Sequence, residues 1–134
     1  MNKGFLENSY ITPISIDVYN TDVIFIYNMG NKKIKKKLKE LIKKEYHEKL
    51  KTLKLSSIST VRGSFLSNDP IKIIKINKVE TLEDFLAILS HEVLHSVFHI
   101  MKNVSIEYTD KSEEAFTYLM GHITKEIVHA IEQE

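Results

Sequence analysis

The stretch Ser90-His91-Glu92-Val93-Leu94-His95 organises this chain. Two histidines four residues apart stack on one face of a helix, about one turn apart, so both imidazoles can reach a single metal ion. Glu92 lies beside the first of them and can contact a water molecule at that metal. A carboxylate from a following helix would complete a three-ligand site with one open position, which is the arrangement of a catalytic zinc site.

The residues around this stretch predict a long helix. Thr81 is a good N-cap, Asp84 can act as its capping-box partner, and the apolar pattern continues to about Met101. Apolar residues occupy nearly all sides, so we expect a helix that is buried on most of its surface. Burying the two histidines and the glutamate without partners would cost roughly 1–3 kcal/mol each. A shared metal ion would remove that cost.

A second helix is predicted from about residue 111 to 131, and it opens with two acids, Glu113 and Glu114. Either glutamate can supply the third ligand. Glu113 lies near the apolar stripe of the helix, and Glu114 shares a face with Tyr118. His99 is a poorer candidate. It follows His91 by eight residues, or about 12 Å along a helix axis, which is too far for both to bind one zinc ion. We therefore expect His99 to be a core or supporting histidine.

The segment His91-Glu92-Val93-Leu94-His95 matches HExxH, the signature of the zincin metallopeptidases. The later segment Glu113-Glu114-Ala115-Phe116-Thr117-Tyr118-Leu119-Met120-Gly121 resembles the glutamate helix of the gluzincin branch. More closely, the chain resembles small phage- and prophage-encoded zincin-like peptidases. The resemblance covers about residues 81–130, and the N-terminal half matches only in its order of elements.

This resemblance implies a role for each residue of the site. His91, His95 and Glu114 would bind Zn²⁺, with Glu113 as the alternative third ligand. Glu92 would be the general base, and Tyr118 would orient the ligand or stabilise the oxyanion, unless it is simply a packed aromatic side chain. The implied function is zinc-dependent hydrolysis of peptide bonds in a protein substrate. The alternative is a catalytically weak or inactive zincin-like protein that binds another protein.

The rest of the chain predicts an α+β domain that spans residues 1–134, with the order β-β-α-β-β-α-α and a small mixed or mostly antiparallel sheet. After a loose start over residues 1–8, the predicted elements are strands at 14–19 and 23–27, a helix at 32–53, and strands at 57–61 and 71–76. Gly63 and Ser64 are expected to mark a bulge or a loop near the site.

Composition limits the classes of function. Of the 134 residues 43% are apolar and none is cysteine, so we expect a folded domain without disulfides or thiolate sites, whose metal ligands are histidines and carboxylates. No N-terminal segment resembles a signal peptide. Residues 82–101, the longest apolar-rich region, include charged side chains, so no membrane span is predicted. We expect a cytoplasmic protein.

The net charge of +1 is unevenly distributed. The segment that begins at Lys32 and ends at Lys54 contains 11 lysines and 3 glutamates, or +8, and the remainder carries −7. Such a segment can contact nucleic acid or an acidic partner, but most charge runs are solvated helix faces. Only Arg62 of the 19 basic residues is an arginine, which argues against a dedicated nucleic-acid reader. We expect at most a weak electrostatic contact with nucleic acid.

Overall fold

The computed structural model describes residues 3–55 and 61–133, and its centre is a four-stranded mixed sheet. The strands are β1 (Tyr10–Ile16), β2 (Thr21–Tyr27), β3 (Gly63–Asn68) and β4 (Ile71–Ile76). Their order in the sheet is β1-β2-β4-β3. The pairs β1–β2 and β3–β4 are antiparallel hairpins, and β2 pairs with β4 in parallel.

Helices cover both faces of this sheet. They are α1 (Asn31–Leu41), α2 (His47–Lys51), α3 (Leu82–Asn103) and α4 (Glu113–Gln133). The predicted α+β class and the mixed sheet are therefore confirmed. The order of elements differs in one place, because two helices, α1 and α2, replace the single helix predicted between the two hairpins. No helix in the described ranges combines the length and the apolar character needed to cross a bilayer.

The two central strands contribute side chains to two separate cores. In β2, Val23, Phe25 and Tyr27 pack with the apolar residues of α3 and α4, whereas Ile24 and Ile26 pack with those of α1 and α2. β4 alternates in the same way along its length. A strand that is covered on both faces has a continuous apolar sequence, which explains the unbroken run in β2.

The single helix predicted for residues 32–53 is wrong, because the structure breaks it. α1 ends at Leu41, Ile42 is extended with φ −98° and ψ 138°, and α2 begins at His47. A straight helix of about 22 residues would be about 33 Å long, whereas a strand of six or seven residues spans only about 20–23 Å. The break brings Leu50 and Leu53 into the same apolar cluster as the buried side of α1.

The predicted loose N-terminus is also wrong. Lys3–Glu7 forms a 3-10 turn, and Phe5 and Leu6 are buried. The backbone carbonyl of Leu6 accepts a hydrogen bond of 2.8 Å from the Tyr27 hydroxyl, and the Phe5 ring packs edge-on against Phe85 at a centroid distance of 4.9 Å. These partners are remote in sequence, so no local pattern indicates the contacts.

The third strand lies later in the chain than predicted. Of the strand expected at 57–61, residues 57–60 are outside the described residues, and Val61 is not part of a strand. β3 pairs regularly with β4, with Gly63 opposite Ile76 and Ser64 opposite Lys75, so the predicted bulge or loop at Gly63 and Ser64 is wrong. The predicted bounds of β4 are confirmed.

Candidate metal site

The N-terminus of α3 is fixed by a cap and an ion pair. The Thr81 hydroxyl accepts a hydrogen bond of 3.1 Å from the backbone N–H of Asp84, which confirms the predicted N-cap. The Asp84 carboxylate lies 3.0 Å from the guanidinium of Arg62. Arg62 directly precedes β3, so this ion pair connects the beginning of α3 to the beginning of the outer strand.

A second connection joins α3 to the turn between β3 and β4. The Nε2 atom of His99 lies 3.0 Å from the Asp69 carboxylate, which also accepts a hydrogen bond of 3.1 Å from the buried Lys72 ammonium. Burial alone would raise the pKa of Asp69, but the hydrogen bonds from His99 and Lys72 outweigh it and hold the pKa below its ordinary value. His99 therefore supports the hairpin.

Between these two connections, α3 lies directly against β3 at Gly63. A Cβ atom at this position would overlap Ile88 Cγ2 and would lie 3.2 Å from Glu92 Cγ. Only a hydrogen atom fits there. The glycine was expected near the site, and the structure places it beside Glu92, where it permits close packing of the helix on the strand.

Three side chains of α3 form a potential metal-binding group. Ligand atoms of His91, Glu92 and His95 all lie within 4.8 Å of one another. The Nδ1 atom of His91 is 2.7 Å from Glu92 Oε1, and the two imidazole centroids are 4.8 Å apart. Ligands on one tetrahedral zinc ion are separated by about 3.4 Å, as follows from metal–ligand bonds near 2.0–2.1 Å. The group could therefore hold a metal ion after side-chain rotation, and imidazole and carboxylate donors suit several divalent metals.

The expected burial of all three polar side chains is wrong for the histidines. The side chain of His91 is 69% exposed and His95 is exposed as well, whereas the side chain of Glu92 is only 6% exposed. The outward face of α3 also carries Leu94 and Phe98, which are 43% and 45% exposed. The imidazoles are therefore open to solvent, and the carboxylate is held between the helix and the sheet.

The predicted residues of α4 lie elsewhere. Glu113 and Glu114 are exposed in the first turn of α4, and within the described part of the chain neither belongs to the metal-binding group. Tyr118 is 74% exposed and borders a cavity of about 490 Å³ at the end of β1. The rings of Phe98 and Phe116 are 5.2 Å apart, so the first turns of α4 lie beside the C-terminal part of α3. The assignment of Glu113, Glu114 and Tyr118 to the site stays a prediction.

The sequence analysis does not predict the exposed apolar surface beside the histidines. Leu94, Phe98 and Tyr108 are 43%, 45% and 55% exposed. Leu94 and Phe98 follow His91 by three and seven residues, a spacing that places all three on one helix face. That spacing is the signal in the sequence, but the apolar residues on the other sides of α3 make the helix look enclosed.

Comparisons with protein-family models, with curated proteins and with solved structures find no match to this chain. The likeness to zincin peptidases therefore depends on the motif residues alone.

Proposed function

We propose that this chain is a zinc-dependent peptidase. The proposal is supported mainly by one observation, the convergence of His91, Glu92 and His95 on the surface of α3. A bound zinc ion would act as a Lewis acid on the carbonyl group of the substrate and would lower the pKa of a coordinated water molecule toward 7.

Each of these side chains has a distinct role in the proposal. His91 and His95 would hold the ion through imidazole nitrogens, and solvent and substrate could approach it because both rings are exposed. Glu92 accepts a proton from the attacking water and passes it to the leaving amine. Its carboxylate is buried and lies 2.7 Å from His91 Nδ1, so its position is restricted before substrate binds.

The proposed substrate is an extended peptide. β3 is one of the two edge strands of the sheet among the described residues, and its Gly63 lies against Glu92. A peptide can pair with such an edge by strand addition. On the other side of the histidines, the exposed Leu94 and Phe98 offer apolar contacts for substrate side chains.

Zinc analysis and a peptide-library assay test the proposal together. Glu92→Gln is expected to keep zinc but to lose about 10²–10⁴-fold in hydrolysis, because the proton acceptor is gone. His91→Ala should lose both zinc and activity. His129→Ala, which changes an exposed histidine of α4, is the matched control and should behave as the parent. A Glu92→Gln protein that cleaves at the parent rate would refute the role of the base, and a parent protein that cannot be loaded with zinc would refute the proposal.

The third ligand requires a separate experiment. Glu114→Gln is expected to weaken zinc binding and Glu113→Gln to leave it unchanged, which would also imply that the first turn of α4 moves toward the histidines. If neither variant changes the zinc affinity, the ion is held by α3 alone. The position of both glutamates outside the group favours a second candidate function, in which a metal-loaded protein binds peptides without cutting them. Retention of intact library peptides would support that candidate.

A further inference from the structure

The outer face of α1 carries a row of lysines. Ile34 and Leu38 are completely buried against the sheet. At about 100° per residue the opposite side of the helix presents one exposed acid, Glu40, and three lysines, Lys32, Lys36 and Lys39. All three side chains are exposed. We call these three residues the lysine row.

The positive charges of the lysine row are not neutralised by the fold. Within residues 3–55 and 61–133, no carboxylate forms an ion pair with a lysine of α1. The first turn of α1 contains no acid, and Lys32 lies at the positive end of the helix dipole, where a cation is unfavourable. Lysines three and four positions apart also repel one another. Lys39 lies in the last turn, where the helix dipole favours a cation, so the dipole offsets only part of the repulsion within the row. An external anion would relieve the remainder.

The surroundings of the row favour one kind of anion. The apolar side of α1 is buried in the core, so this helix has no free face to insert into a lipid surface. Lysine is a point charge without the planar fork that reads bases, so it suits phosphate groups. From Lys32 to Lys39 the row extends about 10 Å at 1.5 Å per residue. Over that length of duplex axis each DNA strand advances by about three phosphates.

We propose that the lysine row binds the phosphate backbone of a nucleic acid without regard to sequence. The row and the histidine pair lie on opposite faces of the sheet, so this activity does not depend on the proposed peptidase. It also agrees with the presence of only one arginine, Arg62, in the chain.

Fluorescence anisotropy of a labelled 20-base-pair duplex, titrated with the full chain between 50 and 200 mM NaCl, tests the proposal. In the row variant, Lys32, Lys36 and Lys39 are replaced by glutamine. Each lost phosphate contact flattens the plot of log Kobs against log salt concentration by about 0.9, so we expect a change of about 2.7 for the three lysines. Duplexes of two unrelated sequences should bind with similar affinity.

A matched control separates the row from net charge. Glutamine replacement of the exposed Lys102, Lys111 and Lys125 on the other face of the molecule changes the net charge equally, from +1 to −2. The control is expected to keep the slope of the parent. The row variant should unfold at the same or a higher urea concentration than the parent, because it relieves repulsion, and this result would exclude misfolding as the cause of lost binding.

Several outcomes would overturn the proposal. They are equal weakening by the row variant and the control, absence of binding at 50 mM NaCl, and tighter binding to phosphatidylserine vesicles or to polyglutamate than to the duplex. Equal weakening would indicate a net-charge effect, and absence of binding would show that the row does not bind nucleic acid. Tighter binding to the vesicles would indicate a lipid surface as the partner, and tighter binding to polyglutamate would indicate an acidic protein.

Discussion

Replacing Gly63 by alanine is expected to push β3 and α3 apart where they lie closest. The new methyl group would overlap Ile88 Cγ2 and approach Glu92 Cγ to 3.2 Å, whereas carbon atoms in contact are normally about 3.5–4.0 Å apart. Ile88 is β-branched, and in a helix its χ1 angle has one strongly preferred value. Its methyl group therefore cannot rotate away without strain.

The expected loss of stability follows from the cost of inserting one methyl group between α3 and β3. Inserting a methyl group into a packed contact costs about 1–3 kcal/mol, and two neighbours must move here, so we expect a loss of about 2 kcal/mol in the free energy of unfolding. For a chain of this size the melting temperature should fall by roughly 8 °C. Urea denaturation followed by circular dichroism measures the change.

Two comparisons make the experiment decisive. Gly121→Ala places a methyl group on α4 where no atom lies within 4 Å, so it should be neutral or should stabilise the helix by about 0.5–1 kcal/mol. Combining Gly63→Ala with Ile88→Ala should recover part of the loss, with a coupling energy of about 1 kcal/mol. If Gly63→Ala is as stable as the parent, or if the two changes are simply additive, the close approach of α3 to β3 is refuted.

Three further substitutions test individual side chains. Asp69→Asn should lower the unfolding free energy at pH 7 by about 1 kcal/mol, because the buried Lys72 loses its charged partner while solvent screens the half-exposed carboxylate. The pKa of Asp69 lies below its ordinary value of 3.8, so its stabilisation is present above that pH and is lost as the pH falls further. Urea titrations should therefore show a smaller difference at pH 3 than at pH 7. Lys75→Met should stabilise the fold at pH 7, because burial lowers the pKa of the Lys75 amine and disfavours its charged form. The gain should shrink as the pH rises toward 10.5, and an unchanged gain at high pH would contradict the assigned cause. Tyr27→Phe should lower the free energy of unfolding by about 1–2 kcal/mol, because the Leu6 carbonyl would lose its 2.8 Å hydrogen bond. A thermal melting curve equal to the parent's would show that this bond contributes nothing.

Features that depend on neighbouring residues could be predicted from the sequence. The beginning of α3 follows from the Thr81 cap, and the proximity of His91 and His95 follows from helical spacing alone. The bounds of β4 could be predicted because its six residues, four of which are isoleucines, directly follow the turn at Pro70. Each of these features needs only contacts within one element.

Features set by distant contacts could not be predicted in the same way. The break after Leu41 depends on the length of the sheet below the helix, and the burial of Phe5 depends on Phe85, which is 80 residues away (85 − 5). The positions of Glu113 and Glu114 depend on how the connection at 104–112 places α4, which the Phe98–Phe116 contact fixes beside the end of α3. A motif gives the spacing within one helix but not the distance between two helices.

The parallel pairing of β2 with β4 has a consequence for how this chain folds. Ile24 and Ile73 are partners across that pairing, although 49 residues separate them (73 − 24). Each hairpin needs only short-range encounters, whereas joining the hairpins must first close a long loop, and the associated loss of chain entropy slows such steps. We therefore expect the pairing of β2 with β4 to limit the refolding rate. We also expect α3, which carries the histidine pair, to reach its final packing only after these two strands have paired.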